Sequence, residues 1–454
     1  MSRKRVLALL WATLILAPFH LLRLFQDEML YMILSRDAWH LIMRPRSSLV
    51  FILTSPLTAI GNVDVWVTLL RLSTSFVTLA NVLLVYELAK KRFGEKPAFI
   101  GALLFITSFT VLRYGARYTL EPWGVFFVLL AIYLTEKSPA LAGLCIGLSF
   151  ASRETWLTTI PFFLLYLRII RKRDFWRALV TASAPVLPTF LLMAGIGIQR
   201  SPIEYNSRIF IQWGFEAVEL EIRAWGLFAI AYLLITLGFL GALLFAEKRL
   251  RREIALLALP SVLTLGGVFG FLLNGPFERY TYGPLALMSI YSGWGLLRAY
   301  DWAKNHVPVI KPALKKVVAL FIGLQLIAMN IAVVEMSNIG AKGIQDYGYW
   351  HDRKVFRILE EYAKSTDSFG GTPHPGLLGF ENWTWADRNL TRVLLKNPDW
   401  LITFRAWAEV NQSAVHDGAV EVWETGPYLI VHRKTSLPMK NCVIPRNFTF
   451  WRKP

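Results

Sequence analysis

The chain has 454 residues and a formal net charge of +18, with 49 Lys and Arg against 31 Asp and Glu. Hydrophobic residues make up 55% of the chain and charged residues 18%, whereas a soluble domain usually carries about a quarter charged residues. This composition excludes an ordinary soluble enzyme, and with only two cysteines, Cys145 and Cys442, the chain is neither a disulfide scaffold nor a cysteine-based zinc module. In so hydrophobic a chain the positive charge indicates loops facing the cytoplasm rather than nucleic-acid binding.

Long apolar runs predict a polytopic membrane protein. A helix that crosses a bilayer needs about 20 mostly apolar residues, and lipid cannot satisfy open backbone groups, which favours helices. By this criterion there are eleven spans, at about 6–24, 65–89, 97–112, 122–135, 139–152, 155–170, 178–198, 224–246, 254–273, 280–297 and 313–335. The predicted fold is therefore a mainly α transmembrane bundle over residues 1–335, followed by a small α/β domain over residues 336–454.

The distribution of charge predicts the orientation. With the N-terminus in the cytoplasm, 22 basic residues lie in inner loops and twelve lie at the outer face, and all of those twelve are Arg. This bias follows the positive-inside rule, and an odd number of spans then places the tail outside. N-x-S/T sequons occur only in the tail, at Asn382, Asn389, Asn411 and Asn447. We therefore expect an integral protein of the cell membrane with a cytoplasmic N-terminus and an extracytoplasmic tail.

The first outer loop, residues 26–64, is too polar to span a membrane and too apolar to lie free in water. An interfacial helix along the bilayer surface fits this pattern, and a loop packed under the tail is the alternative. In the tail, Asp352–Ser365 has helical periodicity. Trp400–Phe404 and Val420–His432 predict strands, the second of which is bent into a hairpin at Gly426-Pro427.

Charged side chains recur at the predicted outer ends of the spans. Ionisable groups at this depth are costly and usually functional. They come from four separate connections and comprise Asp27, Glu28, Arg44, Arg113, Arg117, Glu121, Arg153, Glu154, Glu278 and Arg279. The alternative is that some of them are helix caps, flanking anchors or internal ion pairs.

Arginines and carboxylates together suit the transfer of a sugar from a lipid-linked phosphate. The planar guanidinium matches phosphate oxygens and stays charged, and it would stabilise the charge of the departing phosphate. A carboxylate can accept the proton of an acceptor hydroxyl as the new bond forms. Since phosphate is already a good leaving group, one base suffices, and a single displacement would invert the anomeric carbon.

Several segments resemble one known class of enzyme. FQDEMLYMILSRDAW, from Phe25 to Trp39, is similar to the acidic "DE" motif of GT-C class membrane glycosyltransferases, and most of all to the protein mannosyltransferase and aminoarabinose transferase type (glycosyltransferase family thirty-nine). Residues 71–134, 140–161 and 278–296 resemble later blocks of that family. The resemblance covers roughly residues 5–335 and does not extend to the tail.

The resemblance implies roles for individual residues. Asp27 matches the acid that serves as the family's base, and Glu28 matches its neighbour. Arg117 and Glu121 match the basic and acidic positions of the loop before the fourth span, where the family usually has Asp rather than Glu. Arg153 lies where the family has a Lys or Arg near the donor lipid, and Arg279 matches the Arg of the family's "RY" block. The family often has Lys-Pro-Pro in the first outer loop, where this chain offers Arg44-Pro45-Arg46. The assigned donor-phosphate set is Arg44, Arg113, Arg117, Arg153 and Arg279, with Glu121, Glu154 and Glu278 as supporting acids.

The resemblance implies an inverting glycosyltransferase with a polyprenyl- or dolichyl-phosphate sugar donor, mannose being the family's commonest sugar. The acceptor is a glycan, a lipid or a protein, and nucleic acid is not a partner. No cofactor is required by the sequence, which leaves a divalent metal open. One alternative is an oligosaccharyltransferase- or ligase-like enzyme that moves a whole glycan, since Asp346-Tyr347-Gly348 resembles part of an oligosaccharyltransferase motif. Another is a transporter of lipid-linked sugars, which should show polar, interrupted spans.

Overall fold

The computed structural model of the chain describes most of the predicted bundle and most of the tail. Its described residues are 2–17, 22, 24, 26–37, 49–195, 231–263, 278–306, 349–385, 390–405, 408–426 and 428–445. Within them, the side chains of residues 26, 27, 192–195, 278, 279, 385 and 392 lie outside the description. The described residues form two compact units. The first falls within Met1–Ala17, Asp37–Pro56 and Leu69–Ile331, and the second within Pro18–Arg36, Leu57–Thr68 and Ala332–Pro454.

Before the tail, the regular structure of the described residues is helical. Its α-helices are α1 (Arg3–Trp11), α2 (Gln26–Arg36), α3 (Leu49–Thr54), α4 (Val63–Phe93), α5 (Glu95–Ile106), α6 (Phe109–Gly115), α7 (Glu121–Leu134), α8 (Pro139–Ser152), α9 (Ile160–Tyr166), α10 (Phe175–Gly195), α11 (Ala231–Phe245), α12 (Lys248–Leu257), α13 (Leu259–Ser261) and α14 (Tyr282–His306). Short 3-10 or π segments extend or join several of them, at Ala12–Leu16, Ser55–Ala59, Glu154–Thr159, Leu167–Arg171 and Glu278–Thr281.

Helix α4 is the longest described helix, and its ends follow the electrostatics of the helix dipole. Asp64 lies in its first turn, and Lys90, Lys91 and Arg92 lie in its last turn, where negative and positive charges respectively are favourable. Gly94 follows with φ of 84°, a left-handed conformation that glycine adopts without a steric penalty. The chain therefore turns directly from α4 into α5.

The predicted span at 97–112 is broken in the structure. Helices α5 and α6 meet at an angle of 63°. At the break, Thr107 and Ser108 turn their hydroxyls back to the carbonyls of Leu103 and Phe105, at 2.8 and 2.7 Å. Hydroxyl groups that compete for backbone partners in this way favour the end of a helix.

The number of membrane spans stays a prediction. Among the described residues, one helix, α4, is long and apolar enough to cross a membrane, and the bent pair α5–α6 would make two. The shorter apolar helices Glu121–Leu134, Pro139–Ser152 and Ala231–Phe245 lie within or close to predicted spans, whereas Leu49–Ala59 lies in the predicted first outer loop. The predicted span at 313–335 lies outside the described residues.

The tail is an α/β structure built on a five-stranded sheet of order β2-β1-β3-β6-β5, with a separate β4-β7 pair. The strands are β1 (Phe369–Gly371), β2 (Trp383–Trp385), β3 (Trp400–Phe404), β4 (Ala408–Val410), β5 (Val420–Thr425), β6 (Tyr428–Arg433) and β7 (Val443–Pro445). The helices are α15 (Tyr349–Tyr362), α16 (His374–Leu377), α17 (Leu390–Leu394), α18 (Gln412–His416) and α19 (Met439–Cys442).

The tail sheet joins a parallel half to an antiparallel half. Strand β1 runs parallel to β2 and β3, and β6 runs antiparallel to β3 and β5. One apolar core includes Val355 and Leu359 of α15 together with Trp400 and Ile402 of β3. The predicted strand at Trp400–Phe404 and the hairpin over Val420–His432 are confirmed, and the predicted helix begins three residues earlier than expected.

Candidate functional site

The connection between α6 and α7 is buried from residue 116 to residue 120 and carries one of the predicted arginines. Arg117 has only 2% of its surface exposed. One hydrogen bond made within the connection and one made just after it hold this segment in place. The hydroxyls of Thr54 and Tyr118 lie 2.6 Å apart, and Nδ2 of Asn81 donates to the carbonyl of Pro122 at 2.8 Å. Arg117 is therefore placed in a segment held against two other helices.

Glu121 lies at the N-terminus of α7, and Arg153 lies at the C-terminus of α8. Glu121 opens α7, which has a proline in its first turn, and Arg153 follows the last residue of α8 in an extended conformation, with its N–H bonded to the carbonyl of Ser149 at 2.9 Å. A carboxylate at an N-terminus and a guanidinium at a C-terminus are each favoured by the helix dipole. Since α7 and α8 pack together, these two ends meet.

Arg153 lies between two carboxylates and an aromatic ring. Its Nη2 is 3.2 Å from Oε1 of Glu121, and its Nη1 is 3.5 Å from Oε1 of Glu154. Its Cζ lies 5.5 Å from the centre of the Tyr280 ring, within the range of a cation–π interaction. The side chains of Arg153 and Glu121 are 5% and 7% exposed. We call Glu121, Arg153, Glu154 and Tyr280 the Arg153 cluster.

A glycine makes room for this cluster. A Cβ at Gly124, one turn after Glu121, would lie 2.5 Å from Nε1 of Trp156 and 3.3 Å from Cβ of Arg153. The first of these distances is too short for any real contact, so a side chain at this position would push α7 away from the segment after α8. Glycine at 124 thus allows the close approach that brings Arg153 to Glu121.

Arg113 is placed differently from the cluster. It is half-buried, and its Cζ lies 5.7 and 5.5 Å from the ring centres of Phe109 and Tyr114 on its own helix. Of the residues predicted for the site, the structure therefore brings together Glu121, Arg153 and Glu154. Arg117 is buried in the neighbouring connection.

Other predicted site residues are described only in part. Glu278 and Arg279 lie in the 3-10 segment Glu278–Thr281, and Asp27 lies in α2, but their side chains are outside the description. Arg44 lies outside the described residues, as does the segment Asp346–Gly348. Glu28, the next residue of α2, has a fully buried side chain.

The second unit contains a buried polar network that the sequence did not indicate. Asp352 of α15 accepts hydrogen bonds at its Oδ1 from Nε2 of His374 at 2.8 Å and from the hydroxyl of Tyr428 at 2.7 Å. The other ring nitrogen of His374 lies 2.8 Å from Oγ1 of Thr372. Asp352, His374 and Tyr428 are all fully buried. Because these residues lie 22 and 76 positions from Asp352, local spacing carried no signal of their contact.

The described residues contain no group of three or more His, Cys, Asp and Glu side chains that could hold a metal ion. The sequence left open whether a divalent metal binds, and we therefore assign no ligands to one. The Arg153 cluster presents a buried guanidinium whose orientation is set by two carboxylates and an aromatic ring.

Comparison with known families gives a match to part of the chain. Residues 48–194 match the model of the dolichyl-phosphate-mannose-protein mannosyltransferase family. This region is about a third of the chain, and it includes Arg113, Arg117 and three members of the Arg153 cluster. No curated protein matches the chain at the sequence level.

Solved structures with a similar fold cover almost the whole chain. ArnT from Cupriavidus metallidurans, bound to undecaprenyl phosphate, superposes with a TM-score of 0.60 at 11% identity, over 95% of this chain and 97% of that one. An oligosaccharyltransferase from Archaeoglobus fulgidus, in complex with Zn and sulfate, has a TM-score of 0.55 at 14% identity, over 89% of this chain and 68% of that one. The same enzyme in its apo form has a TM-score of 0.54 at 13% identity, over 98% and 76%. Each of these structures shares the fold of this chain.

Proposed function

We propose that this chain, a glycosyltransferase of the GT-C class, is an integral membrane enzyme that transfers one sugar from a polyprenyl- or dolichyl-phosphate donor to an acceptor hydroxyl at the outer face of the membrane. The class is supported by the family match over residues 48–194 and by the fold shared with ArnT and the oligosaccharyltransferase. The phosphate donor is supported by the undecaprenyl phosphate bound to ArnT.

The observation that carries the proposal is the Arg153 cluster. A buried guanidinium between two carboxylates has a fixed orientation and keeps its charge. Such a group can bind a phosphate and stabilise the negative charge that it gains as it leaves. Three of its members, Glu121, Arg153 and Glu154, lie inside the segment that matches the dolichyl-phosphate-mannose-protein mannosyltransferase family. Arg117, buried in the connection before α7, would add a second positive charge, with Arg44, Arg113 and Arg279 completing the proposed donor site.

The proposed reaction is a single displacement. The acceptor oxygen attacks the anomeric carbon while the bond from that carbon to the phosphate oxygen breaks, and the bonding electrons leave with the phosphate. Asp27 accepts the proton of the acceptor hydroxyl, and Glu28 supports it. The anomeric carbon is inverted because attack and departure occur on opposite faces. Asp27 is assigned this role from its place in the acidic motif at the start of α2.

The decisive experiment combines a donor panel with a base variant. Purified protein is incubated with lipid-phosphate sugars and with glycan, lipid and peptide acceptors, and the product is identified by mass spectrometry. We expect transfer of a single sugar. Asp27→Asn should lower kcat by about 100-fold or more, since general base catalysis contributes about 10²–10⁴-fold, and it should leave the Kd for the donor unchanged.

A matched variant controls for the loss of a carboxylate. Asp174 lies in an exposed ion pair with Arg177, so Asp174→Asn should retain wild-type turnover. Wild-type turnover in Asp27→Asn would contradict the proposed base, and the absence of transfer from every lipid-phosphate sugar would contradict the proposed donor.

The second candidate is transfer of a whole glycan, which the likeness to the Archaeoglobus fulgidus oligosaccharyltransferase favours. Both enzymes would use an outer-face carboxylate, so substrate size separates them. Transfer of an oligosaccharide from a lipid carrier, with no transfer from lipid-phosphate monosaccharides, would support this second function.

A further inference from the structure

Helix α2, which begins with the acidic motif, is short for an independent helix. It has 11 residues and is about 16 Å long at 1.5 Å per residue. Isolated helices of this length are marginal in water, so its stability and direction depend on what it packs against. In the structure it belongs to the same compact unit as the tail.

The start of α2 is held by Asp352. The backbone N–H of Leu24, two residues before the helix begins, donates to Oδ2 of Asp352 at 3.0 Å. The other oxygen of this carboxylate accepts from His374 and Tyr428, as described above. All of these groups are buried, and a buried polar group that loses its partner is costly. Asp352 therefore fixes the chain three residues before Asp27.

The end of α2 is held by its last residue. Nη1 of Arg36 donates to the carbonyl oxygens of Gly376 and Leu377, at 2.7 and 3.3 Å. These carbonyls end α16, and hydrogen bonds from a charged donor are stronger than neutral ones. The guanidinium therefore joins the C-terminal ends of α2 and α16.

Helices α2 and α16 pack closely where Arg36 joins them. A Cβ at Gly376 would lie 2.7 Å from Cδ1 of Ile33 in α2 and 2.9 Å from Cε2 of Trp383. Helix α16 begins with His374, the residue bonded to Asp352, and ends next to the carbonyls bonded to Arg36. The single-turn helix α16 thus contacts Asp352, which holds the start of α2, and Arg36, which holds its end.

We propose that the tail is the element that positions the acidic motif, with Asp352, His374 and Arg36 as positioning residues for Asp27. The inference rests on the proposed function, because it gives Asp27 the role of base. A base must lie within hydrogen-bond reach of the proton that it accepts. Since a displacement of about 1 Å can cost about 100-fold in rate, the two anchors set kcat without contacting substrate.

The test compares variants that loosen either anchor. Arg36→Met and Asp352→Asn should lower kcat by about 10-fold or more while the Kd for the lipid-phosphate donor stays within about twofold. Arg36→Lys keeps a charged donor and should recover most of the lost kcat. If Arg36 and Asp352 had only a structural role, their removal would lower the thermal midpoint of unfolding. It would not lower kcat while leaving donor binding unchanged, and Arg36→Lys would not restore kcat.

Two further variants keep the test decisive. Arg405 is a partly exposed tail arginine paired with Glu424, so Arg405→Met should leave kcat unchanged. If Arg36→Met does not fold, Gly376→Ala presses on Ile33 without removing a charge and should lower kcat in the same way. Wild-type kcat in Asp352→Asn, Gly376→Ala and every folded Arg36 variant would overturn the inference.

The outcome for Asp27→Asn separates the two proposals. Full activity in that variant contradicts the proposed base. An inactive Asp27→Asn together with active anchor variants contradicts only the positioning role.

Discussion

At the scale of single residues, Arg153 has two roles that can be separated. Its side chain and that of Glu121 are almost fully buried and 3.2 Å apart, so each one compensates for the desolvation of the other. The proposal also gives Arg153 a phosphate to bind. A variant that lacks the arginine therefore combines a structural loss with a functional one, and the two must be measured independently.

We predict that Arg153→Met destabilises the folded chain because it leaves Glu121 as an uncompensated buried charge. Breaking a buried ion pair typically costs about 3–5 kcal/mol. The double variant Arg153→Met/Glu121→Gln should recover part of this loss, as neither group is then charged. Both should lack donor binding. The measurement is the thermal midpoint in detergent together with the Kd for the lipid-phosphate donor.

A surface ion pair provides the control for the Arg153 and Glu121 variants. Arg177 and Asp174 form an ion pair with side chains 78% and 44% exposed, and such pairs contribute at most about 1 kcal/mol. Arg177→Met should leave both the midpoint and donor binding unchanged. Equal midpoints for Arg153→Met and Arg177→Met would show that the buried pair does not contribute to stability.

The residues that the sequence identified carry a local signal, whereas those that it missed depend on contacts between distant parts of the chain. Glu121, Arg153 and Glu154 could be predicted because charges are costly at the ends of apolar runs, and that cost can be read locally. Asp352 and His374 could not, because their significance lies in contacts with Leu24 and with each other, and the first of these joins residues 328 positions apart. A lone histidine in a polar tail has no pattern that reveals such a partner.

At the scale of elements, glycines determine how closely the helices approach. Gly143 and Gly147 lie on one face of α8, spaced four residues apart, and a Cβ at either would lie 2.2 and 2.4 Å from the carbonyl oxygens of Ala178 and Ala182 in α10. Small residues at this spacing are typical of helix pairs in membranes. The predicted bounds 139–152 of α8 are confirmed, but its partner could have been predicted only by noticing this Gly-x-x-x-Gly spacing.

We predict that Gly143→Val destabilises the fold by forcing α8 and α10 apart. Overpacking a tight contact costs about 1–3 kcal/mol, and Oγ1 of Thr181, which also bonds to the carbonyl of Ala140 at 2.7 Å, lies only 2.4 Å from the new Cβ position. The thermal midpoint in detergent should fall. Leu141 on the same helix is 50% exposed, so Leu141→Phe adds volume without this effect. A midpoint as high for Gly143→Val as for Leu141→Phe would contradict close packing of the pair.

Helix boundaries were predictable where an apolar run coincides with one unbroken helix, as in α4 and α8. They were not where the chain bends within an apolar run. The run over 97–112 carries no charge, and its only proline, Pro97, is its first residue. At the break between α5 and α6 the hydroxyls of Thr107 and Ser108 bond back to the preceding helix, whereas hydropathy alone treats these residues as minor interruptions. The tail strands were predictable because alternation and a Gly-Pro turn are local signals.

At the scale of the whole molecule, the predicted orientation rests on the distribution of charge and is open to a direct measurement. The native cysteines, Cys145 and Cys442, are 7% and 0% exposed, so the chain itself should react slowly with thiol reagents. Lys137 and Asp417 are exposed, and the predicted topology places the first in the cytoplasm and the second outside. Each position can therefore carry a single reactive cysteine.

We predict that, in sealed right-side-out vesicles, a membrane-impermeant maleimide labels Asp417→Cys and leaves Lys137→Cys unlabelled. The reason is that Lys and Arg are retained on the cytoplasmic side during insertion, and the loop that contains Lys137 lies on the side to which the basic excess is assigned. Detergent should make both cysteines reactive, which establishes that protection came from the membrane. The reverse pattern, with Lys137→Cys labelled and Asp417→Cys protected, would place the tail in the cytoplasm, on the opposite side from the proposed reaction.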